Sequence, residues 1–146
     1  MAFGAHVAGR ARRWGALALL LAACLALCGC GGGGGEARVL LDGKAFAGGS
    51  VAPDAGDSAR VYVTLDGKPL IDLPFSQAHT VTVVQPDGAT NEVQLTGQAV
   101  RMQSANCENQ DCVNMGEVTR DNLELRVMGG FIICLPHKVS VEVREE

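Results

Sequence analysis

Aromatic residues are scarce, 4% of the 146-residue chain: one Trp, one Tyr and four Phe. That is too few for a carbohydrate platform or a surface that stacks single-stranded bases. Positive charge is scarce too. From Cys30 onward nine Lys/Arg stand against sixteen Asp/Glu, a formal charge of −7. Nucleic-acid binding rests on Lys/Arg neutralising phosphates, so no nucleic-acid partner is expected. The catalytic motifs are missing as well. There is no G-x-S-x-G, no H-E-x-x-H and no Gly-rich phosphate loop between a strand and a helix. Gly31 to Gly35 are consecutive and precede no strand–helix unit. Asp and Glu are scattered at turns, with no spacing that proposes a carboxylate pair. The pattern points away from an enzyme, and no resident cofactor is expected.

Long apolar runs are also lacking. The longest uncharged apolar stretch, Gly15 to Leu27, has 13 residues, short of a bilayer span and right for a signal-peptide core. Arg10, Arg12 and Arg13 precede it, and no acidic residue occurs before Glu36. The stretch ends in Leu27-Cys-Gly-Cys30, a pattern that resembles the bacterial lipobox. Residues 1–29 are therefore read as a lipoprotein signal peptide, with Cys30 as the lipidated residue. Cys24, in Leu21-Ala-Ala-Cys24, is the alternative. An uncleaved signal anchor would give the same location, whereas the surroundings of Arg12-Arg13 do not support twin-arginine export. The expected address is the extracytoplasmic face of the cell membrane, with membrane lipid as partner through the acylated cysteine. Two acyl chains suffice for stable anchoring, each buried methylene contributing about 0.8 kcal/mol.

Residues 30–57 read as a tether rich in Gly, Ala, Ser and Asp, with one strand-like piece at Arg38 to Leu41. Ala37-Arg-Val-Leu-Leu-Asp-Gly-Lys44 echoes Ala59-Arg-Val-Tyr-Val-Thr-Leu-Asp-Gly-Lys68. Two copies are an echo and not a repeat architecture. From Ala59 the apolar period becomes two: Val61, Val63 and Leu65 alternate with Tyr62 and Thr64. Asp66-Gly67 predicts a type I′ hairpin, whose two central residues need positive φ. Further strands are predicted around Leu70–Leu73, Thr80–Val84, Asn91–Leu95, Gln98–Met102, Phe131–Cys134 and Lys138–Val143. Only Cys107–Met115 and Asn122–Val127 look helical. About seven short strands over residues 58–146 predict a mostly β fold, a small antiparallel sandwich or barrel-like domain.

The densest chemistry lies in Asn106-Cys107-Glu-Asn-Gln-Asp-Cys112-Val and Ile133-Cys134-Leu-Pro-His137-Lys-Val139, a C-x4-C-x21-C-x2-H spacing. With the upstream hairpin, Val113, Gly116 and the Ile132–Val143 ending, these residues resemble the NusG domain II family. That family groups small exported or membrane-tethered bacterial proteins around a compact β module. The resemblance covers Ala59 to the C-terminus. It implies the fold and does not imply transcription, because no other NusG part is present. The stretch between Gly116 and Cys134 is longer than the family pattern.

Several chemistries fit the set. An exported domain permits a disulfide, with Cys107–Cys112 the leading pair and Cys134 a possible partner. Cys107, Cys112, Cys134 and His137 also form a donor set for tetrahedral zinc, although x4 between the first two cysteines is unusual and Pro136 constrains the second pair. A thiol-redox centre would need a thiolate of depressed pKa beside a resolving cysteine. Three buried thiols in a core remain the plain alternative. His137 is expected to hydrogen-bond beside the Pro136 turn, and His79 to sit on a surface loop. Together these features predict a tethered, non-enzymatic accessory or binding module, with a membrane protein as possible partner. The rival is a thiol-redox or metal-handling protein using the four residues above.

Overall fold

The structure, a computed structural model, describes residues 35–145. The expected signal peptide, both lipidation candidates Cys24 and Cys30, and the start of the expected tether lie outside the described residues. Eleven strands form among those described. They are β1 (Arg38–Leu41), β2 (Lys44–Phe46), β3 (Gly49–Ser50), β4 (Ala59–Leu65), β5 (Lys68–Pro74), β6 (Ala78–Val84), β7 (Thr90–Thr96), β8 (Ala99–Ala105), β9 (Val118–Thr119), β10 (Phe131–Cys134) and β11 (Val139–Glu145). One helical turn, α1 (Asp111–Asn114), follows β8, and a 3-10 turn (Arg120–Asn122) follows β9.

The strands build two sheets. One runs β2-β1-β6-β7-β8-β9, the other β10-β11-β4-β5-β3. All pairings are antiparallel except β3 with β5. The fold is therefore a mostly β, two-sheet arrangement; the barrel alternative is not realised, since no closed barrel forms among the described residues. The strand count exceeds seven because pieces of two to four residues pair at or next to the sheet edges. Three of them fall at 38–50, inside the stretch read as tether. There β1 pairs with β6 through Arg38↔Val84 to Leu41↔Val81.

The echo noted in the sequence becomes a matched pair of hairpins. Asp42-Gly43 joins β1 to β2 with φ of 51° and 77°, and Asp66-Gly67 joins β4 to β5 with φ of 51° and 75°. Both have the double positive φ of a type I′ turn. One hairpin belongs to each sheet.

Period-two patterning then does the rest. Val61 and Val63, Ile71 and Leu73, Val81 and Val83, Val93 and Leu95, Val100 and Met102, and Val139, Val141 and Val143 all point into one core. Alternate residues on these strands are more exposed, as a half-buried strand requires. Arg60 is a buried exception. Its guanidinium bonds Asp72, at 2.7 Å, and donates to Ser50 Oγ and Val51 O, pinning β3 onto the second sheet.

Candidate functional site: a buried three-thiol cluster

The chain reaches this site by leaving the end of β8. Asn106 turns it: the backbone N–H of Thr90 donates to Asn106 Oδ1 at 2.7 Å, and Asn106 Nδ2 donates to Gly88 O. Cys107 follows, then a loop to Gln110, whose φ is 54°. A non-glycine residue pays steric energy in that left-handed region, so local bonds must hold it there. Gln110 Nε2 supplies them, donating to Ala105 O and Cys107 O and reaching Cys107 Sγ at 3.8 Å. The turn of α1 then aims Cys112 inward, and Gly116 (φ 73°) releases the chain toward β9.

Cys134 arrives from the other sheet, at the end of β10. The three Sγ atoms all lie within 4.8 Å of one another, and Cys107 and Cys112 are 3.7 Å apart. None of the three residues is more than 5% exposed. The cluster thus joins the end of β8, α1 and β10, and it belongs to the apolar core that joins both sheets. Among the described residues no disulfide is present, and all three cysteines are free thiols. A disulfide needs sulfurs at about 2.05 Å. The two sulfurs of the Cys107–Cys112 pair expected from the sequence lie in contact at 3.7 Å without a bond between them, and Cys134 Sγ is within 4.8 Å of both.

Burial pushes the Cys112 thiol up to about 12, reinforced by hydrogen bonding and charge coupling to Cys134 and Cys107. A dry cluster of neighbouring thiols disfavours any one thiolate. This is the reverse of the depressed pKa a thiol-redox catalyst needs.

His137 does not join the cysteines. Pro136 and the turn after β10 carry it toward β7, where its Nδ1 lies 2.8 Å from Oδ1 of the buried Asn91. Asn91 Nδ2 in turn donates to Met102 Sδ at 3.6 Å, and the His137 carbonyl accepts from Gln85 Nε2 at 2.8 Å. The four-ligand set thus divides into three sulfurs that converge and an imidazole that clamps the two sheets. His79, expected on a loop, lies in β6 and faces Asp42 Oδ2 at 2.8 Å. Burial alone would raise the Asp42 pKa. The Thr80 backbone N–H and the His79 ring outweigh it and hold Asp42 below its ordinary value.

Sequence reasoning missed Gln110 and Asn91. It also missed the loop between the 3-10 turn and β10, where Leu125 is 84%, Val127 102% and Met128 44% exposed. This loop is built rather than loose. Arg126 donates to Gly129 O, Met115 O and Glu117 O, Asn122 accepts from Thr119 N, and Arg120 pairs with Asp57 at 2.7 Å. A recess of about 610 Å³ is an open trough along β1, β2 and Leu70, away from the cysteines.

A two-sheet β module that brings the C-x4-C cysteines against the cysteine of C-L-P-H is the class that this fold and site define. Residues 17–146 match the NusG domain II family, and the chain belongs to that family. Several solved structures are similar, two of them as follows. The Lin0431 protein from Listeria innocua is 25% identical, with a TM-score of 0.52, over 61% of this chain and 98% of that one. A DUF1312 family protein from Enterococcus faecalis is 21% identical, also with a TM-score of 0.52, over 60% and 98%. The second likeness concerns the fold alone. A comparison with curated proteins finds no match.

Proposed function

We propose that the protein is a lipoprotein held at the extracytoplasmic face of the cell membrane by acylated Cys30, acting there as a non-enzymatic accessory module for a membrane-protein partner. The observation that carries the binding role is the Glu124–Met128 tip. Three large apolar side chains within four residues face water on a loop braced by Arg126 and Asn122. An exposed apolar group held by its own hydrogen bonds is preorganised to meet a surface, which reduces the ordering cost of binding. Tethering confines the tip to the membrane and raises its effective concentration there. The lipobox-like Leu27-Cys-Gly-Cys30 supports this placement.

The test places a photocrosslinking amino acid at Glu124 in the full chain, expressed in cells. The reading expects one discrete membrane-protein adduct. That adduct is lost in Leu125→Asp/Val127→Asp and in Cys30→Ser. An adduct that survives the tip substitutions, or a labelled acyl chain on Cys30→Ser protein, contradicts it.

A second reading, metal handling, is favoured by one observation: the convergence of three sulfurs from both sheets.

A further inference from the structure

We propose that Cys107, Cys112 and Cys134 form a binding site for one thiophilic d10 metal ion, Cu(I), held by three sulfurs and no nitrogen. This rests on the second reading above and is independent of the tether and the apolar tip.

Spacing is the first argument. A metal with bonds of about 2.3 Å to three sulfurs in a plane needs those sulfurs about 4.0 Å apart. The cluster brackets that value, with one pair at 3.7 Å and none beyond 4.8 Å. Small side-chain rotations would close the triangle.

The donor set is the second argument. Zinc takes four ligands in closed protein sites. Here the nearest sequence candidate for a fourth, His137, is committed to Asn91. No other His, Cys, Asp or Glu among the described residues joins the group. Soft thiolate ligands select Cu(I), Zn(II) or iron–sulfur clusters; structural zinc and the clusters take four protein ligands, so three sulfurs alone fit Cu(I) best of these. An all-sulfur, three-coordinate, dry site suits Cu(I) and leaves Zn(II) short of a ligand.

The surroundings supply the rest. A surface pit of about 30 Å³ is lined by Cys112 and Cys134 with Asn109, Asp111, Leu135 and Pro136, giving a short path to two of the sulfurs. Gln110 Nε2, its two hydrogens given to Ala105 O and Cys107 O, lies 3.8 Å from Cys107 Sγ and fixes the backbone that positions this ligand. Each copper–thiolate bond that forms sends one thiol proton to solvent, and no electron is transferred. Bound metal would also protect three thiols from pairing in an oxidising compartment.

The experiment uses the full chain, with Cys24, Cys28 and Cys30 changed to Ser so that every thiol counted belongs to the cluster. Reduced protein is given Cu(I) anaerobically against the chelator bicinchoninate, and the copper environment is read by X-ray absorption. The proposal expects one Cu(I) per chain and three sulfur neighbours without imidazole. Cys134→Ser should weaken binding at least tenfold, and His137→Ala should leave it unchanged. Circular dichroism confirms that both variants are folded. Transfer of all copper to the chelator, affinity indifferent to Cys134→Ser, an imidazole signature lost in His137→Ala, or tighter retention of Zn(II) than of Cu(I) would overturn it. Failure here leaves the crosslink at the apolar tip unaffected, so the two readings fall separately.

Discussion

Gly130→Ala should unfasten β10 from its sheet. A Cβ on Gly130 would lie 2.3 Å from Val143 O and 3.1 Å from Leu123 Cδ2. Carbon and a carbonyl oxygen meet at about 3.3 Å or more, so the strands must part by about 1 Å. The backbone bond from Val143 N to Gly130 O, 3.0 Å long, is stretched in the process. Overpacking of this kind costs about 1–3 kcal/mol, and a lost backbone hydrogen bond about 0.5–1.5 kcal/mol more. The expected total is about 2–4 kcal/mol, a large part of the stability of a small domain. Urea unfolding followed by far-UV circular dichroism measures it. Because β10 carries Cys134, alkylation of that thiol should quicken in the same variant. Gly129→Ala is the control: it meets nothing closer than 3.9 Å and carries only the strain of φ 55°, about 1 kcal/mol. A change below about 0.5 kcal/mol for Gly130→Ala, within the range of ordinary surface substitutions, would refute the close approach and the placement of β10 that depends on it.

His137→Ala should lower stability by about 1–3 kcal/mol, since it orphans the buried Asn91 Oδ1; equilibrium unfolding checks it, and a neutral result would contradict the clamp. The raised Cys112 thiol gives a pH signature. Its folded pKa of about 12 stands above the ordinary 9.0, so its contribution to stability is complete below pH 9 and falls as pH rises toward 12. Unfolding measured from pH 8 to 10.5 should show that fall, and Cys112→Ala should flatten it. Asp57 runs the other way. Burial raises its pKa, but the Ser76 and Ala59 N–H groups and Arg120 outweigh burial and leave it lowered. Its contribution is present above the ordinary carboxylate pKa and lost as pH falls through the folded one. Asp57→Asn should therefore cost stability at pH 7, by about 1–2 kcal/mol, and less at pH 3, below the ordinary carboxylate value. Equal losses at both pH values would contradict this.

The sheets were legible where burial is one-sided. Val61/Val63, Val81/Val83 and Val139/Val141/Val143 write their inward face directly in period two, and Asp66-Gly67 announces its turn. Arg38–Leu41 showed as a strand-like piece, but the strands at 44–50 were harder to see. Gly48, Gly49 and Lys44 read as tether because strands of two or three residues at a sheet edge need pairing partners, not apolar patterning. The helical look of Asn122–Val127 misled for a related reason. Its apolar residues face water, and the turn is held by Arg126 and Asn122 reaching backbone carbonyls, which spacing does not encode. At the site, the cysteines were legible as a set and their geometry was not. C-x2-H suggested that Cys134 and His137 act together. Pro136 and the turn after β10 send them to different neighbours, and only the partner strand explains why: Asn91 on β7 waits for the imidazole. Gln110 carried no sequence signal, because its role follows from a left-handed backbone that nothing in its side chain predicts.

The most direct test of the thiol cluster is peptide-mapped thiol counting on the full-length protein. It is recovered from membranes without reductant and alkylated before and after denaturation. The account predicts that Cys107, Cys112 and Cys134 resist reagent in the native protein and are all alkylated once it is unfolded in the presence of a copper chelator. A Cys107–Cys112 cross-linked peptide with Cys134 as the single alkylated thiol would contradict it and would make the cluster a structural disulfide.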